Sequence, residues 1–280
     1  MRVRGTDGES AGTAETMMTV LKLGGELLEN AAAMQAMASA IRTLASREQV
    51  VVIHGGGRAI DAELRLRGLE PKFVDGLRVT DAAALESVVS VLAGRTNTAF
   101  VGALHGCGVR AVGLTGADAG IGLSRLAPHL TTVAGEQVDL GLVGEPAGGP
   151  AVLLQDLAGL GYVPVVASIG VSPDGSLLNV NADTMAGHLA GAIGARRLVI
   201  AGGTPGVLDA NGATIPTLTL ENVDAMIASG TAHSGMVAKL LACRGAIGAG
   251  VPEVAIVSGR GVSDFDSAAG TRVLRAEVSA

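Results

Sequence analysis

Two glycine-centred junctions have the composition to hold a phosphoryl group. Lys22-Leu23-Gly24-Gly25 closes a Val/Leu-rich run, and His54-Gly55-Gly56-Gly57 closes a second and opens into an apolar period containing Ile60 and Leu64. Glycine lets backbone N–H groups approach an anion with no Cβ in the way, and a helix N-terminus adds partial positive charge. A tight strand-to-helix turn without a ligand is the competing account of either run alone. Lysine usage adds a second signal: the chain has 17 arginines but only three lysines, Lys22, Lys72 and Lys239. Ammonium is a compact point charge on a flexible stem, which a planar guanidinium does not replace at a crowded phosphoryl. A lysine kept in an arginine-using chain is therefore a candidate for chemistry. On position alone, Lys22 also fits a strand-end surface charge and Lys239 an exposed helix residue.

Other catalytic patterns are missing. Gly-x-x-x-x-Gly-Lys-Ser/Thr does not occur, and Gly55-x-Gly57 is followed by Ile60 where a dinucleotide loop needs its third glycine. No Gly-x-Ser-x-Gly elbow is present, and His54, His105, His129, His188 and His233 lie in unrelated local contexts. Cys107 and Cys243 form no Cys-x-x-Cys and read as reduced thiols.

The elements that must position the junctions are legible from patterning. Runs apolar on both faces, Thr19 to Leu23, Val50 to His54, Arg110 to Thr115, Val163 to Ser168, Leu198 to Ala201 and Val254 to Ser258, alternate with helical periods. That is the mark of a parallel sheet covered on each side, so the expected class is α/β, a three-layer αβα sandwich with a mainly parallel central sheet. Thr80 stands as an N-cap before Leu85, Val88, Val89 and Leu92, with Gly94 ending that helix. Helices are also expected over Ala32 to Ala45, Asp183 to Ile193 and Ser234 to Ile247. Thr131 to Gly149, with β-branched residues, Gly and Pro, is expected to form hairpins standing off the main sheet. Residues 1 to 17 read as a flexible leader without an apolar core, which points to a cytoplasmic protein. The Pro-Asp-Gly turn of Pro173 to Ser176 is the expected boundary between lobes 18–173 and 174–280.

Bulk composition narrows the partners. A net charge of −6 and four aromatic residues provide neither the basic footprint nor the stacking platforms of a nucleic-acid binder. Leu157 to Pro173, the longest uncharged run, is broken by Gly159, Gly161, Pro164 and Gly170 and is too short to span a bilayer.

Taken together, Lys22-Leu-Gly-Gly25, Val52-Ile-His-Gly-Gly-Gly57, Gly76-Leu-Arg-Val-Thr-Asp81, Leu140-Gly-Leu-Val-Gly-Glu145, Leu178-Asn-Val-Asn-Ala-Asp183 and Gly235-Met-Val-Ala-Lys239 closely resemble the acetylglutamate kinases in order and spacing. The resemblance covers about Thr19 to Leu274. It implies the amino-acid kinase or carbamate kinase-like fold, an acyl amino acid in the amino-terminal lobe, MgATP in the carboxyl-terminal lobe, and a homodimer. By the same resemblance Lys22 and Lys239 flank the transferring phosphoryl group, with Asp183 positioning both ammonium groups. Gly56 and Gly57 present N–H groups to the substrate, and Arg78 and Asn179 hold its second carboxylate and its amide. Gly24 and Gly25 face the phosphates, and Gly203, Thr204, Pro205, Gly206, Val207 and Leu208, with Thr231 and His233, line the nucleotide; Mg2+ arrives with ATP. Without ligand roles, Arg78 would pair with Asp75 or Asp81, and Asp183 would cap its helix.

Phosphoryl transfer is catalysed mainly by positioning and by positive charge around the equatorial oxygens. A carboxylate acceptor, with a reference pKa of about 4.3, is already ionised at neutral pH, so no general base is needed. The chain departs from the pattern on the nucleotide side, with Gly202-Gly203 where the family carries Thr or Ser followed by Asp, and Ser234-Gly235-Met236 for Gly-Gly-Met. Three readings stay open: an N-acetyl-L-glutamate kinase, a kinase for acetyl-aminoadipate or a related acyl amino acid, and a non-catalytic binding paralogue. The leader lacks the apolar stripe of the helix that interlocks arginine-regulated forms, so insensitivity to arginine is expected.

Overall fold

A computed structural model describes residues 17–131, 136–232 and 234–276. The expected leader therefore lies outside the described residues except for Met17, and His233 lies outside them too. In chain order the elements are β1 (Met18–Leu23), α1 (Ala31–Ala45), β2 (Gln49–His54), α2 (Gly57–Leu66), β3 (Phe73–Val74), β4 (Leu77–Arg78), α3 (Ala82–Val89) and α4 (Asn97–Gly106). Next come β5 (Ala111–Thr115), β6 (Ser124–Leu126), β7 (Leu130–Thr131), β8 (Gln137–Val138), β9 (Val143–Pro146), α5 (Val152–Gly159), β10 (Val163–Ala167), β11 (Ile169–Val171) and β12 (Leu177–Val180). The chain continues with α6 (Ala182–Ala192), β13 (Arg197–Gly202), β14 (Thr217–Thr219), α7 (Leu220–Ala228), α8 (Ser234–Gly248), β15 (Glu253–Ser258) and β16 (Gly270–Leu274).

One eight-stranded sheet, in the order β14-β16-β15-β13-β1-β2-β10-β5, runs through the molecule. All its pairings are parallel except β15 with β16. Period-two alternation makes both faces apolar. On β1 and β2, Val20, Val51 and Ile53 join the core that contains Leu189, Leu240 and Cys243, whereas Leu21, Leu23, Val50 and Val52 join the core that contains Ile41, Phe100 and Leu104. Helices α5 to α8 cover the first face, and α1 and α4 the second, giving the three layers expected from the sequence.

Four details bear on the site. Lys22 shares the parity of Val20 and points into the layer of α6, while His54 shares the parity of Val52 and points toward α4. Helices α6 and α8 pack through small residues: a Cβ on Gly187 would lie 2.7 Å from the Ala242 carbonyl oxygen, so only glycine permits this approach. A second sheet, β11-β12-β9-β6, and the β7/β8 pair are separate from the main sheet, as expected for Thr131 to Gly149, of which residues 132–135 lie outside the described residues. The Pro-Asp-Gly segment is the turn of the β11/β12 hairpin, with Gly175 at φ 89°.

The helix expected to end at Gly94 does not end there. It continues as a π-helical stretch, Ser90–Thr96, into α4. Helix-ending glycines adopt positive φ, as Gly68 and Gly108 do here; Gly94 stays helical and has open space beside it. The N-cap is Asp81, not Thr80: the Asp81 side chain accepts a hydrogen bond from the Ala84 N–H at 2.8 Å.

Candidate active site

Three elements that meet only in the folded chain place the charged centre. Lys22 comes from the carboxyl end of β1, Asp183 from the first turn of α6 and Lys239 from α8. Lys22 Nζ lies 2.9 Å from Asp183 Oδ1 and Lys239 Nζ lies 3.4 Å from Asp183 Oδ2, with all three side chains largely buried. Burial alone would raise the Asp183 carboxyl, but the charge of Lys22, then that of Lys239, overcomes it and holds the group below its ordinary value. One carboxylate thus fixes two ammonium groups side by side at the wall of a cavity.

That cavity, about 920 Å³, is lined by Lys22, Asp183 and Lys239 and also by Gly24, Gly25, Gly56, Gly57, Arg78 and Asn179. The structure therefore brings together in one cleft every catalytic and acceptor-side residue expected from the sequence. The two glycine junctions touch backbone to backbone, since a Cβ on Gly25 would sit 2.8 Å from Gly56 Cα. Asn181 caps α6 by accepting from the N–H groups of Asp183 and Thr184. The capping role expected of Asp183 therefore belongs to Asn181, two residues earlier, and the Asp183 carboxylate is left to the lysines.

Arg78 ends β4 and is buried. It pairs with Asp61 of α2, not with Asp75 or Asp81, donates from Nη2 to the Gly57 carbonyl at 3.2 Å, and stacks over Phe73. Its Nη1 is buried with no hydrogen-bond partner. A buried, unsatisfied guanidinium N–H costs stability unless a ligand accepts from it, which suits an arginine waiting for an anionic or carbonyl oxygen. Asn179 Nδ2 donates to Thr80 Oγ1 at 3.0 Å, and that hydroxyl donates to the Arg78 carbonyl. Thr80 thus ties the two substrate-side residues together.

The segment expected to line the nucleotide lies outside this cavity. None of Gly203–Leu208, nor Thr231, lines the cavity. Gly203 N–H donates to Glu26 Oε1 at 2.7 Å, Val207 is buried in the core and Leu208 is exposed. Glu26, Asp61, Thr80 and Asn181 were missed from the sequence; Glu26 directly follows Gly25, and that adjacency was the one local signal for it. Among the described residues no group of three His, Cys, Asp or Glu side chains could hold a metal ion.

A parallel three-layer sheet with a twin-lysine, glycine-lined cleft at its strand ends fits a small-molecule phosphotransferase, and the chain belongs to the amino acid kinase family, whose model matches residues 17–258. Within that family it is similar to acetylglutamate kinases. It is 44% identical over 214 residues to the Acidiphilium cryptum acetylglutamate kinase, covering 75% of this chain and 72% of that one. It is 42% identical over 250 residues to the Symbiobacterium thermophilum acetylglutamate kinase, covering 86% and 84%. The structure of Giardia carbamate kinase shares the fold, with a TM-score of 0.64 at 14% identity, covering 93% of this chain and 99% of that one.

Proposed function

We propose that this chain transfers the γ-phosphoryl group of ATP to the side-chain carboxylate of N-acetyl-L-glutamate, giving N-acetylglutamyl 5-phosphate for arginine biosynthesis. The observation that carries the reading is the Lys22–Asp183–Lys239 arrangement at the wall of a cleft that also holds Arg78, Asn179 and two glycine loops. The acceptor carboxylate enters ionised, its oxygen forms the new bond to phosphorus, and the bond from phosphorus to the bridging oxygen of ADP breaks. The electron pair leaves with ADP, and no proton has to move.

In this reading Lys22 and Lys239 offset the charge spread over the equatorial oxygens, and Asp183 keeps both amines in register at no cost during the step. Backbone N–H groups of Gly24, Gly25, Gly56 and Gly57 complete the cradle, while Arg78 Nη1 and Asn179 hold the acceptor's other carboxylate and its amide. Residues 203–208 with Thr231 and His233 carry the nucleotide, and the division at Pro173 to Ser176 separates acceptor lobe from nucleotide lobe. With both oxygens of Asp183 turned to lysines, Mg2+ is assigned to the phosphates of ATP, where it would neutralise phosphate charge. The homodimer and the cytoplasmic setting are part of the same reading, supported by the resemblance; sedimentation analysis tests the first.

A coupled ADP-release assay across acyl amino acids tests the activity. N-acetyl-L-glutamate is expected to give the highest kcat/KM. Acetyl-aminoadipate, one methylene longer, is expected to lose about 1 to 3 kcal/mol of transition-state binding. Preference for the longer acceptor would transfer the assignment to an acetyl-aminoadipate kinase. Acceptor binding with neither turnover nor ATP binding would assign a sensor.

A further inference from the structure

His54 and Asn97 lie outside the cluster that meets the phosphoryl group, yet they are built into the wall behind it. His54 is fully buried and Asn97 nearly so. Asn97 follows the π-helical stretch Ser90–Thr96, a form that is rare and frequently found at functional sites. Its Nδ2 lies 2.9 Å from the Val165 carbonyl oxygen and 3.0 Å from His54 Nε2. The carbonyl can only accept, so that atom must be the NH2 nitrogen, and its second hydrogen points at the ring. His54 Nε2 is then a lone-pair acceptor, and the ring proton belongs on Nδ1. Nδ1 lies 3.1 Å from the carbonyl oxygen of Gly55, the first residue of the glycine run. The site is fitted to this pair, because a Cβ on Gly113 would collide with Asn97 Oδ1. The same π stretch backs the loop, with Leu92 Cδ2 2.8 Å from where a Cβ on Gly56 would sit.

We propose that Asn97 fixes the Nδ1–H tautomer of His54, which in turn pins the Gly55 peptide and sets the shape of the Gly55-Gly56-Gly57 loop. Both are positioning residues, and the catalytic consequence rests on the kinase reading above. A loop whose N–H groups must meet oxygens at hydrogen-bond distance loses its effect with small displacements. A side-chain chain that permits one tautomer holds the carbonyl on one side.

Two-bond 1H–15N spectra of the histidine rings test the tautomer directly. In the wild type His54 is expected as the neutral Nδ1–H form; an Nε2–H form or an imidazolium at neutral pH would overturn the proposal, and this readout needs no variant to fold. Asn97→Asp replaces the donor with an acceptor. It is expected to move the ring proton to Nε2, shift the Gly56 and Gly57 amide signals, and lower kcat by about 10-fold or more. KM for the nucleotide should stay within about threefold. A switched tautomer with unmoved glycine signals and unchanged kcat would also overturn it. Absence of acceptor-dependent ADP release in the wild type would remove the kinase reading alone, since ring and amide signals decide this one independently.

Discussion

Replacing Asp183 with asparagine isolates what the shared carboxylate does. The substitution keeps shape but removes the charge opposite two amines 2.9 and 3.4 Å away, and it turns an NH2 donor toward one of them, with Lys22 Nζ in a side chain only 7% exposed. Removing one member of a buried ion pair costs about 3–5 kcal/mol, because the remaining charge keeps its desolvation penalty without its partner. Partial exposure of Lys239 at 17% and access of water to the cleft place the expectation near the lower figure, about 3 kcal/mol. The amines should also part by mutual repulsion, which removes the fixed electrostatic framework and lowers kcat by about 10²–10³. ATP, a polyanion, supplies part of the missing charge, so saturating MgATP should restore more stability to Asp183→Asn than it adds to the wild type. Urea titrations with and without MgATP, alongside steady-state kinetics, measure both quantities. A variant within about 1 kcal/mol of wild type, with kcat within about threefold, would refute the assignment of Asp183 as the residue organising both lysines.

Other expectations follow from single contacts. Arg78→Lys cannot supply the planar fork that holds Asp61 and the Gly57 carbonyl while presenting Nη1, so acceptor KM should rise about 10-fold or more with nucleotide KM unchanged, read from two-substrate kinetics. Gly25→Ala drives a Cβ into Gly56 Cα and should lower stability by about 1–3 kcal/mol, whereas Gly57→Ala meets nothing within 4 Å and should unfold close to the wild type in the same urea series. Burial lowers the His54 pKa from 6.5 to about 4. The unfolded chain therefore binds the extra proton first, and the stability contributed by His54 is complete above about pH 6.5 and declines as pH falls toward 4, by about 3 kcal/mol in all. The difference between wild-type and His54→Gln urea midpoints across that range checks both sign and window.

The central strands were readable because parallel strands covered on both faces must be apolar at every position, and runs such as Val50 to His54 have no other use in an αβα sandwich. The last two strands on one side of the sheet, β14 and β16, were not readable: Thr217–Thr219 is too short to show a period, and Gly270–Leu274 contains a glycine and an arginine. The π-helical stretch was hidden for a related reason. It packs Leu92 against the glycine loop and leads into Asn97, which reaches His54; none of these contacts leaves a local pattern, and Gly94 looks like a terminator unless its φ is known. In the site, lysine scarcity and the glycine runs marked Lys22, Lys239 and the loops, while the roles of Arg78, Asn179 and Asp183 were implied by the resemblance. What sequence reasoning could not supply was pairing. Asp61 was invisible as the partner of Arg78 because nearer acids, Asp75 and Asp81, competed for the assignment, and Asp81 turned out to cap a helix. Glu26 was overlooked because its contact, the Gly203 N–H, lies on a distant strand end.

Chemical trapping of the product tests the central claim most directly. With MgATP, N-acetyl-L-glutamate and hydroxylamine, the wild type should form the acyl hydroxamate in step with ADP, because an acyl phosphate is the immediate product. Lys22→Ala and Lys239→Ala should form almost none while remaining folded. ADP release without hydroxamate, or hydroxamate formed equally by both alanine variants, would contradict phosphoryl transfer to a carboxylate between those two amines.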